Sequence, residues 1–254
     1  FMMQHSVLYY FSPTGGTKKV GLAFASAASG TVTEVDLADP KASLESAPCG
    51  LAVFAVPVFG GRIPAPAAER IRALQGNGTK AVTLAVYGNR AYEDALLELN
   101  HTAAGSGFVV IASGAFIARH SIVPQVAAGR PDEKDLEEIR GFAQKVVQKI
   151  ESGDLSQVTV PGNMPYKPEM QTAATPVSLE NCTLCGKCAA VCPVGAVSLK
   201  GRTVITELDK CILCMACTHV CPEGARVLPK QLQDGMNQKL MPLKDIRREN
   251  EIFI

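Results

Sequence analysis

The chain has 254 residues, of which 47% are hydrophobic and 19% charged, and its 25 basic and 24 acidic side chains nearly cancel. This balance is typical of a globular protein and offers no basic surface for nucleic acid or for an anionic membrane, so neither partner is expected. The longest apolar run, residues 51–59, is far shorter than the about 20 residues that cross a bilayer, and the N-terminus shows no secretion signal, so we expect a cytoplasmic protein without a membrane span.

Residues 1–152 alternate apolar runs with amphipathic stretches, which is typical of an α/β domain with a parallel sheet. Most of the runs are continuously apolar, as expected for strands that helices cover on both faces. The run 31–37 alternates polar and apolar side chains instead, which predicts an edge strand. The predicted strands are 6–11, 31–37, 51–58, 80–87 and 108–116, and the predicted helices are 17–29, 64–74 and 132–152.

The loop between the first predicted strand and the first predicted helix is rich in hydroxyl groups and glycine. Such a loop at a helix N-terminus presents N–H and O–H donors that suit a phosphate group. It is not a Walker loop, because the leading glycine of that motif is missing. An ordinary tight turn is the alternative. The candidate phosphate-binding residues are Ser12, Thr14, Gly15, Gly16 and Thr17.

Two further loops follow the third and fourth predicted strands. In a doubly wound sheet, ligands bind at the carboxyl ends of the strands, so these loops are expected to lie beside the first one. As an alternative, Phe59 and Tyr87 could be core aromatic residues. The candidate residues are Pro57, Val58, Phe59, Gly60 and Gly61 in the second loop, and Tyr87, Gly88, Asn89, Tyr92 and Asp94 in the third.

Residues 8–17 read LYYFSPTGGT, which closely resembles the FMN-phosphate signature of flavodoxins. The resemblance implies an α/β fold with a flavodoxin-like doubly wound sheet of five parallel strands in the order 2-1-3-4-5, with FMN bound at the three loops. It also implies that the second and third loops enclose the isoalloxazine ring. Tyr92 matches the stacking tyrosine of the third loop, and Phe59 is the candidate in the second.

The composition changes after residue 152. From 153 to 178, proline and glycine interrupt a polar stretch without periodicity, which predicts a linker on the surface. A cysteine-rich region and then a polar tail follow. We therefore expect a first domain over 1–152, a linker over 153–178, a small α+β domain over 179–230 and a C-terminal tail over 231–254.

Eight of the nine cysteines form two copies of the motif C-x-x-C-x-x-C-x-x-x-C-P, beginning at Cys182 and Cys211. Each cysteine of the second copy lies 29 residues after its counterpart in the first. In a chain without an export signal, this clustering indicates metal binding and not a disulfide framework. Paired zinc ribbons are the other alternative, but zinc sites usually take two separated pairs of ligands and not a three-plus-one spacing.

The repeat resembles that of bacterial-type ferredoxins with two [4Fe–4S] clusters, in which the fourth cysteine of each motif binds the other cluster. The resemblance implies that every cluster iron has a cysteine ligand, so neither cluster offers an open substrate site. It assigns Cys182, Cys185, Cys188 and Cys221 to the first cluster, and Cys211, Cys214, Cys217 and Cys192 to the second.

As a whole, the chain resembles the fused flavodoxin–ferredoxin proteins of anaerobic bacteria and archaea. The resemblance implies electron transfer between FMN and the clusters, and on to redox partner proteins such as ferredoxin- or flavodoxin-dependent reductases. One alternative is an enzyme whose flavin reduces a small molecule such as a quinone or nitro compound, and another is a redox-sensing interaction module. A carrier is favoured because the sequence shows no acid/base pair beside the flavin loops, whereas an open cavity lined by Arg62, Arg90 or His120 would favour the enzyme. The sequence does not determine the oligomeric state.

Overall fold

The computed structural model describes residues 2–44 and 49–254, and its largest element is a sheet in the N-terminal part of the chain. Five parallel strands lie in the order 2-1-3-4-5, which confirms the predicted flavodoxin-like order. The second strand lies at the edge and is largely exposed, as its alternating sequence predicted. These strands are β1 (Met3–Tyr10), β2 (Ser29–Asp36), β3 (Leu51–Pro57), β4 (Lys80–Tyr87) and β5 (Val109–Ile117).

Four helices cover the two faces of this sheet. The first and last helices pack on one face, where Val20, Phe24 and Phe142 are buried in a common core. The two middle helices pack on the other face and bury Ile71 and Leu99. The third of the four was not among the predicted helices. They are α1 (Gly16–Ala28), α2 (Ala65–Arg72), α3 (Ala95–Gly105) and α4 (Glu133–Glu151).

The cysteine-rich region forms a small unit with two similar halves. Each half has a cysteine loop followed by a one-turn helix, and the two helices lie 29 residues apart in sequence. A longer helix and a 3₁₀ turn follow. The elements are β6 (Val177–Ser178), α5 (Lys187–Ala190), β7 (Val197–Lys200), β8 (Thr203–Thr206), α6 (Ala216–His219), β9 (Arg226–Val227), α7 (Lys230–Leu240) and the 3₁₀ turn Met241–Leu243.

The C-terminal segment returns to the first domain as β10 (Glu251–Phe253), which pairs antiparallel with β5 and makes a sixth strand. The Asn250 side chain fixes this strand. Its amide nitrogen donates to Asp135 at 3.0 Å and to Glu138 at 2.6 Å, and its oxygen accepts the N–H of Ile117 at 3.1 Å. The sequence had given only a polar tail here, so the added strand is new information from the structure.

The small unit packs against the loop that follows β5. Leu213 and Met215 from the second cysteine loop are buried in one cluster with Ile122, Val123 and Val126. This apolar contact holds the small unit in place. Because the loop follows the carboxyl end of β5, the contact places the second cysteine loop at the carboxyl edge of the sheet. Between α4 and β6 the described chain forms no helix or strand. No helix in the described ranges is both long and apolar enough to cross a membrane.

Candidate functional site

The four cysteines predicted for the first cluster line one small cavity. Three come from the loop of the first motif, and the fourth comes from the end of the second motif. Leu184 and Gly186 adopt left-handed φ values of 55° and 76°, which turn the loop sharply around the cavity. The second motif repeats the same turn. The lining cysteines are Cys182, Cys185, Cys188 and Cys221.

The four cysteines predicted for the second cluster also lie close together. Burial, together with smaller effects from the neighbouring thiolates of Cys217, Cys192 and Cys211, raises the pKa of Cys214 to about 12. Thiols that are buried and crowded in this way need a cation in order to ionise, and the iron of a cluster supplies it. Among the described residues, no three His, Cys, Asp or Glu side chains are close enough to share one metal ion. This wider spacing is compatible with a cubane cluster, because each thiolate binds a separate iron there.

The fourth cysteine of each motif is held by the same local geometry. Gly195 and Gly224 adopt left-handed φ values of 61° and 59°, which turn the chain after each Cys-Pro pair. The N–H of the alanine that follows each glycine then donates to the sulfur, at 3.2 Å for Cys192 and 3.3 Å for Cys221. The repeated glycine and alanine therefore position the cysteine that crosses to the other motif.

The first loop of the sheet domain presents unpartnered donors at the N-terminus of α1. Ser12 Oγ accepts the N–H of Lys18 at 2.9 Å, and Gly15 has a left-handed φ of 87° that only glycine adopts easily. Within the described part of the chain, the N–H groups of Gly16 and Thr17 have no hydrogen-bond acceptor. An anion placed here would accept both hydrogen bonds, so the loop fits a phosphate group.

The second loop forms a tight turn after β3. Phe59 and Arg62 exchange backbone hydrogen bonds of 2.9 and 3.2 Å, and Gly60 and Gly61 between them have φ values of 60° and 87°. Residues with a side chain rarely adopt the φ of Gly61, so glycine is favoured there. The loop residues that line the cleft at the carboxyl edge of the sheet are Pro57, Val58, Phe59 and Gly60.

The third loop divides into residues that line the cleft and residues that do not. Tyr87 and Gly88 line it. The Tyr92 ring packs against Tyr87 with centroids 5.5 Å apart, and its hydroxyl donates to Glu251 in β10 at 2.8 Å. The Asn89 amide donates to backbone carbonyls of the C-terminal segment, and the Asp94 carboxylate accepts hydrogen bonds from the linker. The described structure thus does not bring Asn89, Tyr92 and Asp94 to the cleft.

The cleft consists of three neighbouring cavities along the carboxyl edge. One, of about 350 Å³, lies at the phosphate loop and is lined by Thr14, Gly16, Lys19 and Arg119. A narrow middle part of about 60 Å³ leads to an outer cavity of about 450 Å³. Cys214 of the second cysteine quartet lines the middle part. The flavin-type cleft and a cluster site therefore share a wall.

His120, on the loop after β5, lines both the middle part and the outer cavity. Its Nδ1 accepts the N–H groups of Ile122 at 3.1 Å and Val123 at 3.2 Å, which leaves the ring proton on Nε2. Burial, with a smaller effect from the Arg90 charge, lowers the pKa of His120 to about 4. His120 is therefore a neutral hydrogen-bond donor at the cleft. The sequence had suggested His120 only as one residue that could line a substrate cavity and not as a cofactor-binding residue, although it follows a strand at the same sheet edge.

The cleft residues fit FMN in three respects. The unpartnered N–H groups of Gly16 and Thr17, with Lys19 and Arg119 close by, suit a phosphate. The narrow middle suits a thin polyol chain. Phe59 gives the outer cavity an aromatic wall for a flat ring.

Comparisons with known proteins match the chain in part. Residues 181–225 match the family described as the 4Fe-4S dicluster domain. A flavodoxin from Streptococcus pneumoniae is 17% identical and aligns over 57% of this chain and 99% of its own, with a TM-score of 0.40. A WrbA-like flavodoxin from Agrobacterium tumefaciens is 14% identical over 59% of this chain and 98% of its own, with a TM-score of 0.42.

Larger proteins are matched only in part. Rubredoxin oxygen:oxidoreductase from Desulfovibrio gigas is 16% identical over 59% of this chain but only 37% of its own length, with a TM-score of 0.43. No curated protein matches the chain. The flavodoxin-like assignment therefore depends on the strand order described above, and the iron–sulfur assignment depends on the family match and the two cysteine quartets.

Proposed function

We propose that this chain, which joins a flavodoxin-like domain to a dicluster ferredoxin segment, is an electron carrier. It exchanges electrons between FMN in the cleft and two [4Fe–4S] clusters, and passes them on to redox partner proteins. The dicluster segment gives the protein a redox role. The observation that carries the rest is that Cys214 lines the same narrow cleft as Thr14, Gly16 and Gly88.

Several groups of the chain would hold FMN. The N–H groups of Gly16 and Thr17 would bind the phosphate, Phe59 would pack on the ring, and the Nε2–H of His120 would donate a hydrogen bond into the cleft. Bound FMN takes up two electrons, whereas a [4Fe–4S] cluster passes one at a time. Leu213 packs with Ile122, and both line the outer cavity, Leu213 from the ferredoxin side.

The two cysteine quartets differ in their distance from the cleft. Cys211, Cys214 and residues of α6 line the cavities at the sheet edge, whereas Cys182, Cys185 and Cys188 line none of them. Cys185 is exposed. This arrangement supports a sequence of sites from the flavin cleft to the second quartet and then to the first. A redox partner would dock at the exposed first quartet.

The outer cavity supports a second candidate function. It has about 450 Å³ and is lined by Arg90, His120 and Lys239 together with apolar side chains such as Met170 and Met236. Such a cavity beside the expected ring position is what an enzyme that reduces a quinone or nitro compound requires. The carrier is favoured because Glu93 already pairs with Arg90 and with Lys167, which leaves fewer free charges for a substrate.

Stopped-flow reduction tests the carrier. Protein loaded with FMN, iron and sulfide is mixed with a pre-reduced bacterial ferredoxin, and bleaching of the flavin band is followed. We expect Cys214→Ser to slow this bleaching by about tenfold or more while the FMN content stays unchanged, because the quartet beside the cleft is opened. Cys49→Ser, at the ninth cysteine, is the matched control and keeps the wild-type rate.

Two outcomes would argue against the carrier. Equal rates in the Cys214→Ser and wild-type proteins would show that electrons reach the flavin without the second quartet. Rapid turnover of a benzoquinone that is lost in Arg90→Gln would favour the enzyme.

A further inference from the structure

Arg226, the first residue of β9, is a buried cation without an acidic partner. Only 3% of the residue is exposed. Its guanidinium donates to two neutral hydroxyls, Ser178 Oγ at 3.0 Å and Thr206 Oγ1 at 2.6 Å, and its Nε has no acceptor. No Asp or Glu of residues 2–44 and 49–254 lies within ion-pair distance of it. Burying an unpaired charge costs free energy, so this arginine needs a compensating anion.

The position of Arg226 shows where that anion lies. Its side chain lines the cavity of the first cysteine quartet. The guanidinium therefore lies beside the site at which the thiolates of the first quartet converge.

The internal repeat provides a comparison within the same chain. The residue 29 positions before Arg226 is Val197, the first residue of β7. Val197 is also buried and packs with Cys188 and Cys217. Since a valine fills the equivalent position, packing alone does not require an arginine there. The charge breaks the similarity of the two halves.

We infer that Arg226 is a fixed internal cation that raises the reduction potential of the clusters. Reduction adds one negative charge to a cluster, and a nearby positive charge in a poorly solvated site stabilises the reduced form. A cluster sulfur in this cavity would also offer an acceptor for the Arg226 Nε, which has none among the described residues. The inference rests on the two cluster sites of the proposed function and is independent of flavin binding.

Potentiometric titration of the full-length holoprotein, followed by electron paramagnetic resonance of the reduced clusters, tests this role. Arg226→Met is compared with Arg202→Met, which removes the same charge from an exposed position on the β7–β8 hairpin. We expect the midpoint potential of one or both clusters to fall in Arg226→Met and to stay lower at high salt, since a buried charge is poorly screened. Arg202→Met keeps the wild-type potentials at high salt. Unchanged potentials in Arg226→Met, at wild-type iron and sulfide content, would overturn the inference.

A second pair of variants decides the question if Arg226→Met does not assemble its clusters. Ser178→Asp places a carboxylate beside the guanidinium and neutralises it locally, whereas Ser178→Asn adds similar bulk without charge. The Asp variant is expected to titrate at lower potential than the Asn variant, and equal potentials would contradict the role of Arg226. If the wild-type protein itself takes up no clusters, the proposed function fails instead.

Discussion

Asp94 connects the linker to the sheet domain, and its removal should release the linker locally. The residue is 2% exposed. One carboxylate oxygen accepts the backbone N–H of Asn163 at 2.8 Å and its side-chain amide at 3.0 Å, and the other accepts the N–H of Lys167 at 2.8 Å. A hydrogen bond to a charged group contributes about 1.5–3 kcal/mol to stability. In Asp94→Ala the freed N–H groups bind water, which offsets part of the loss. We therefore expect the free energy of local opening to fall by about 3 kcal/mol in total.

Amide hydrogen exchange measures this effect directly. A loss of about 3 kcal/mol corresponds to about 100-fold faster exchange at the amides of Asn163 and Lys167. Asp154→Ala is the matched control, because Asp154 lies in the same linker but, among the residues that the structure describes, hydrogen-bonds only to Ser156, at 2.9 Å. Unchanged protection of both amides in Asp94→Ala would show that the Asp94 carboxylate does not hold the linker.

The stabilisation of the linker by Asp94 should be lost at low pH. Burial alone raises the pKa of Asp94, but the hydrogen bonds from Lys167 and Asn163 more than offset this, so the pKa is lowered. The stabilisation is therefore complete above the unfolded-state pKa of about 3.9, and it is lost as the pH falls through the lower folded-state pKa. Exchange at these amides, corrected for the intrinsic rate, should rise only in that acidic range.

Three further predictions concern the sheet domain. Gly21→Ala would place a methyl group 2.8 Å from a leucine side chain in β1, so it should lower the free energy of unfolding by about 1–3 kcal/mol. Gly141→Ala lies in open space on α4 and should raise the free energy of unfolding by about 0.5–1 kcal/mol. Urea unfolding of the two variants and the wild-type protein measures both effects. Asn250→Ala removes two hydrogen bonds to carboxylates of α4, so β10 should detach at a cost of about 2 kcal/mol, seen as faster proteolysis of the C-terminus. Burial and Arg90 lower the pKa of His120 to about 4, below its unfolded-state value of about 6.5. The free energy of unfolding should therefore fall by up to about 3 kcal/mol as the pH decreases from about 6.5 to about 4. In urea titrations, His120→Gln should lose this pH dependence.

The sheet could be predicted because its signals are local and periodic. The run 51–58 is continuously apolar and becomes β3, buried on both faces, while the alternating run 31–37 becomes the exposed edge strand β2. The loop before α1 likewise combines Gly15 with the hydroxyl residues in a pattern that has a direct physical reading. The domain limits read from composition stay predictions.

The sixth strand could not be predicted from the sequence. β10 has only three residues, and its pairing with β5 depends on Asn250 reaching α4 across more than a hundred residues of sequence. The same C-terminal segment brings Glu251 to the Tyr92 hydroxyl, and its backbone accepts a hydrogen bond from the Asn89 amide. Contacts made by the tail therefore decide the orientation of side chains that a local motif had suggested for the flavin.

Two site residues had weak sequence signals. His120 lies on a fourth loop at the carboxyl edge of the sheet, and its role depends on backbone donors that only the folded loop presents. Arg226 could have been noticed as the position where the second repeat replaces Val197 by a charged residue. Its burial, however, is set by the packing of β9 beside β6 and β8, which the repeat does not encode.

An anaerobic reductive titration tests the central claim most directly. The purified protein, reconstituted with iron, sulfide and FMN and freed of excess reagents, is titrated with dithionite while the flavin and cluster absorbance are followed. We expect about eight iron atoms and one FMN per chain, and uptake of about four electrons, two by FMN and one by each cluster. A chain that retains no flavin and takes up only about two electrons would contradict it.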